Sequence, residues 1–108
     1  MRETFGALLA TWQSRVAEDR AVRAAMQGIA RDETAHAELS WQLARWLEPR
    51  LSPAARAPVE QARRVAIGEL GRELSRGVAE SIERAAGVPS PRVARTLFEG
   101  VKADLWAA

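Results

Sequence analysis

Residues 20–47 constrain the fold more than any other part of the chain. They hold no proline, and their core-type positions are Val22, Met26, Ile29, Glu33, His36, Ser40, Leu43 and Leu47. Steps of four and three alternate along this set, which is the seam of a helix packed in a bundle. Asp19 is an N-cap for this helix. Glu48-Pro49 ends it, because the residue before proline is pushed out of the helical region.

The flanking segments read as helices too. Residues 2–17 carry a bulky stripe of Phe5, Leu8, Leu9, Trp12 and Val16. Their other face, Glu3, Gly6, Ala7, Ala10 and Ser14, is small apart from Glu3 and would let a neighbouring helix approach closely. A tight turn at residues 17–19 makes the first two helices an antiparallel hairpin. Beyond a linker at 48–53, Ser52-Pro53 caps a third helix, with Val59, Ala62, Ala66, Ile67, Leu70 and Leu74 as its core face, fading near Gly77. A short helix over 79–86 stops at Gly87 as C-cap. Ser90-Pro91 then starts a last helix ending near Trp106. The fold class is all-α, with residues 1–48 forming a long antiparallel hairpin and 49–108 a C-terminal helical extension. Sparse Val, Ile and Thr leave strands little to build on.

Composition removes several function classes. The absence of cysteine excludes disulfides, thiolate metal sites and cysteine nucleophiles. The pI of about 10.3 points to nucleic acid, yet the net charge is only +2. Nearly every base is Arg, and Arg alternates with Glu at Glu69, Arg72, Glu73, Arg76 and Glu80, the pattern of a solvated, ion-paired face. Nucleic acid is therefore not an expected partner. No apolar run approaches the roughly 20 residues of a membrane span, and no signal-peptide core opens the chain. The expectation is a soluble, cytoplasmic chain, with any targeting segment upstream. Met1-Arg2-Glu3 enters a helical pattern with no N-cap residue ahead of it, which suggests missing upstream sequence. Ser14, Thr34 and Ser40 have no base partner for nucleophilic catalysis. The four tryptophans, Trp12, Trp41, Trp46 and Trp106, read as packing residues.

Glu33 and His36 break the seam where a plain bundle would carry Leu or Ala. Burying an ionisable pair is costly unless something compensates, and a cation does so well. Their spacing of three puts both side chains on one face, one turn apart. With the hairpin turning near residues 18–19, Glu3 lies level with them on the facing helix. One Glu plus a neighbouring Glu-x-x-His is half the ligand set of a di-iron bundle. The bland alternative is a structural Glu–His pair in a polar layer.

The wider segment Ile29-Ala30-Arg31-Asp32-Glu33-Thr34-Ala35-His36-Ala37-Glu38-Leu39 resembles the last bundle helix of ferritin-like proteins. Arg2-Glu3-Thr4-Phe5 resembles the helix before it, and the Glu3-to-Glu33 interval is also similar to that family. The resemblance covers about residues 2–47. It implies that Glu3, Glu33 and His36 are ligands, with Glu33 bridging two metals, and that Asp32 and Glu38 are surface charges. It implies iron as a di-iron centre, or manganese, and O2-linked redox or iron oxidation of the ferroxidase kind if the protein is an enzyme. A complete ferritin-like bundle needs two such hairpins, and His36 is the only histidine here. The partner would be a missing N-terminal hairpin, which the uncapped start favours, or a second copy in a homodimer, an arrangement similar to that of encapsulated ferritins. The alternative function is a metal-free helical interaction domain.

Overall fold

A computed structural model describes residues 2–106, with side-chain surroundings described through Asp104. The helices expected from the sequence correspond closely to α1 (Arg2–Val16), α2 (Arg20–Leu47), α3 (Pro53–Leu74), α4 (Glu80–Ala86) and α5 (Pro91–Val101). A 3₁₀ turn over Glu48–Arg50 follows α2, and a π-helical turn over Lys102–Trp106 follows α5. Among the described residues there is no strand. None of the described helices is long and apolar enough to cross a membrane. Met1, where the uncapped start falls, lies outside the described residues, as do the surroundings of the Trp106 side chain.

Local chemistry sets the helix ends. Asp19 accepts a hydrogen bond from the Val22 backbone N–H at 3.0 Å, Ser52 from Ala55 at 3.2 Å and Ser90 from Val93 at 3.3 Å. Each satisfies one donor that the first helical turn leaves open. Gly87 closes α4 at φ 68°, a left-handed conformation that glycine adopts without steric cost.

Helix α1 is the centre of the molecule because it packs on two sides. Its small face, with Ala7 and Ala10 buried, lies along α2 in the most extensive helix–helix contact. Its bulky face meets α3 and α5. There Phe5, Leu70 and Phe98 form the core, and Leu8, Leu9, Ile67, Leu74, Leu97, Val101 and Trp41 pack around them. The Phe5 and Phe98 rings meet edge to face, with centroids 6.0 Å apart. Trp41 reaches this layer from α2 and donates its indole N–H to Thr4 Oγ1 at 2.9 Å. The extension thus folds back onto the hairpin. The first half of α3 does not join it: Val59 and Ala62, expected on its core face, are exposed.

Two expectations about charge and packing meet different outcomes. Glu80 and Arg84 pair one turn apart on α4 at 3.0 Å, as a solvated face should. Glu73 instead crosses to α1, where Arg2 donates to both of its carboxylate oxygens at 2.6 and 2.9 Å. That bidentate hydrogen bond holds the Glu73 carboxyl below its ordinary range. A depressed folded-state value means the contribution to stability is present above the unfolded carboxylate range, near 4.3, and is lost as pH falls through the folded value. Thermal unfolding followed from pH 7 to pH 3 should therefore show a smaller loss of stability in Glu73→Gln than in the parent. The difference should shrink in high salt, because the pair is exposed.

Candidate metal half-site

Of the three expected ligands, Glu3 stands on α1 and Glu33 and His36 on α2, and Glu33 alone is partly covered at the helix interface. Glu33 sits at the interface with its side chain about one-third exposed (35%), and its Oε1 lies 3.8 Å from His36 Nδ1. A β-carbon placed on Gly6 of α1 would come within 3.5 Å of Glu33 Oε2. The Glu33 carboxylate therefore lies directly against α1 at Gly6, where an added β-carbon would make ordinary van der Waals contact with it. Glu3 lies one turn before Gly6 and is exposed. Its carboxyl is held below the ordinary range, chiefly by a hydrogen bond from its own backbone N–H. Attraction to a protonated His36 is the smallest contribution in the same direction.

The seam itself needs a correction. The residues of α2 turned toward α1 include Val22, Met26, Ala30, Glu33, Ala37 and Ser40, with Ala37 the one fully buried. Ile29, Leu43 and Leu47, expected in the core, are instead exposed, and the His36 side chain is 63% exposed. The physical reason is close approach: alanines at 30 and 37 let α1 settle deeper on that side of α2. This rotates the line of contact away from the bulkier residues. No polar or charged residue is fully buried among the described residues. The desolvation cost that made a cation attractive is correspondingly smaller for His36 than a buried seam implies.

Carboxylate oxygen and imidazole nitrogen are donors suited to iron or manganese. Their number within one chain is a different matter. Among the described residues, no three His, Asp or Glu side chains lie close enough together to hold one metal ion. Glu33 and His36 are brought within 3.8 Å of each other, whereas Glu3, Glu33 and His36 are not drawn together into one metal-holding group within this chain.

The remaining side chains with functional chemistry are engaged locally. The Ser14 and Thr34 hydroxyls donate to carbonyls of their own helices at 2.7 Å. Trp46 is exposed, with the Arg50 guanidinium stacked 4.1 Å from its ring centre. No protein-family model, curated protein or solved structure matches the chain.

Proposed function

We propose that this chain binds iron, or a similar metal such as manganese, through Glu3, Glu33 and His36. These residues would form one half of a ferritin-like carboxylate–histidine centre whose other half comes from a second helix hairpin. The observation that carries the reading is the Glu33 carboxylate, accommodated against Gly6 at the α1–α2 interface and 3.8 Å from His36. Glu3 across the hairpin supplies the third donor. A bound iron pair would supply O2-linked redox chemistry or the oxidation of iron itself. The chain's own part is to hold carboxylates and an imidazole on two helices that the α1–α2 packing keeps aligned.

The test is metal analysis of the purified protein together with anaerobic titration with Fe(II) and Mn(II). His36→Leu is expected to lower affinity by more than the 10–100-fold typical of losing a group behind a ligand. Unchanged metal binding in His36→Leu would remove the reading. A metal-free helical interaction domain is the second reading, favoured by the exposed apolar side of α2. It expects no metal in the parent and equal or greater stability in His36→Leu.

A further inference from the structure

The side of α2 next to the one that packs on α1 carries one continuous stripe: Ala21, Ala25, Ile29, Asp32, His36, Leu39, Leu43 and Leu47, with Trp46 beside its end. All eight are exposed, and the large apolar members are 40–64% exposed. A 28-residue helix is about 42 Å long, so this stripe runs nearly the length of the molecule, whose longest dimension is 49 Å. The chain as a whole also exposes too much surface. Its accessible area is 7416 Å², against about 5,900 Å² for a compact monomer of this mass. The radius of gyration, 15.6 Å, exceeds the roughly 13 Å of a compact domain of this length. The excess, about 1,500 Å², is more than the ~800 Å² that each partner contributes to a standard interface.

The order of residues along the stripe says what covers it. Its spacing is a palindrome centred on the level of Thr34, so two copies laid antiparallel match position for position. Asp32 then faces His36 of the other copy, Ile29 faces Leu39, Ala25 faces Leu43, and Ala21 faces Leu47. The central pairing sets an acid against a base, the two outer ones set alanine against leucine, and Ile29 meets Leu39 as apolar side chains of equal size. A parallel pair would instead stack Leu39 on Leu39 and Leu43 on Leu43 at one end and alanine on alanine at the other, leaving a clash and a gap. We infer that this face docks a second copy of the chain, antiparallel and two-fold symmetric about the level of Thr34, with two Asp32–His36 pairs at its centre. Such an interface is isologous, as a closed dimer requires. It brings the two Glu33–His36 pairs within about one helical turn of each other along the axis, about 6 Å. It gives the proposed metal centre its second hairpin, but it rests on the apolar stripe and not on the metal.

Mass in solution tests it, measured on the full chain in chelator so that metal plays no part. The expected mass is twice 11.8 kDa. Leu39→Arg/Leu43→Arg should give a monomer with helical circular dichroism retained, because both positions are exposed. The charges test the register: Asp32→Arg and His36→Glu alone each set like charges or two bases opposite one another, and should weaken the dimer by about tenfold or more. Combined, they restore an acid opposite a base and should recover it. The chain has no cysteine, so oxidative cross-linking is free of background. Ile29→Cys/Leu39→Cys should oxidise to a covalent dimer. Leu39→Cys alone should not, since the antiparallel register separates the two copies of that residue by about 15 Å. A monomeric parent overturns the proposal, and so does self-linking of Leu39→Cys. A chelator-resistant dimer that takes up no metal would uphold this interface and remove the metal reading. A monomer that binds iron would do the reverse.

Discussion

Phe5→Ala is expected to lower the free energy of unfolding by about 3–5 kcal/mol, read as a fall in the urea midpoint with the slope nearly unchanged. Phe5 is 1% exposed and the largest side chain fully buried among the described residues. It is also the point at which α1, α3 and α5 meet, through Phe98 and Leu70. Removing the ring deletes the apolar transfer energy, the edge-to-face contact with Phe98, and the packing on Leu70. Small domains are stable by roughly 5–15 kcal/mol in total, so the loss is a large fraction of the whole. Phe5→Leu, which keeps most of the volume, should cost about 1–2 kcal/mol. A loss below about 1 kcal/mol in Phe5→Ala would mean that the extension does not pack on α1 as described.

What could be read from the sequence divides along a physical line. Helix ends were legible because a cap is a contact between residues two or three apart. Asp19, Ser52, Ser90 and Gly87 each act where the local pattern predicts. The level of Glu3 against Glu33 and His36 was legible because the turn at 17–19 fixes the register of an antiparallel pair, at 1.5 Å per residue. Which side of α2 faces α1 was not. That helix carries two adjacent stripes, a small one containing Ala30 and Ala37 and a bulky one containing Ile29, Leu39 and Leu43. Periodicity weighted by side-chain size selects the bulky one, whereas the close contact with α1 uses the small one. The same preference for bulk hid the exposed face that carries Asp32 and His36. The signal that finds it is the palindrome of spacing about Thr34, which appears only when two copies of the helix are compared with each other.

Gly87→Ala should destabilise by about 3 kcal/mol, although it adds only one methyl group, at the buried C-terminal end of a two-turn helix. Part of the cost is conformational: at φ 68° an L-residue other than glycine loses about 1–2 kcal/mol, less a few tenths recovered because alanine restricts the unfolded chain. The rest is steric and has no flexible group to absorb it. The new β-carbon would lie 2.7 Å from the backbone nitrogen of Ala17, 3.0 Å from its Cα and 3.1 Å from its Cβ. Ala17 is fully buried, so the α1–α2 turn must move away from α4. That movement strains the two hydrogen bonds by which Glu18 and Asp19 backbone N–H groups cap the Arg84 and Ala85 carbonyls at 3.0 and 3.1 Å. It also strains the one from the Gln13 side chain to the Ala86 carbonyl. Amide hydrogen exchange should locate the damage, with protection at Glu18 and Asp19 falling further than in the Phe5 core. Gly100→Ala is the control of opposite sign. Gly100 lies within α5 with nothing within 4 Å of an added β-carbon, so alanine there should stabilise by up to about 1 kcal/mol through helix propensity. Equal effects at the two glycines would mean that the contact between Gly87 and Ala17 does not hold the extension to the hairpin turn.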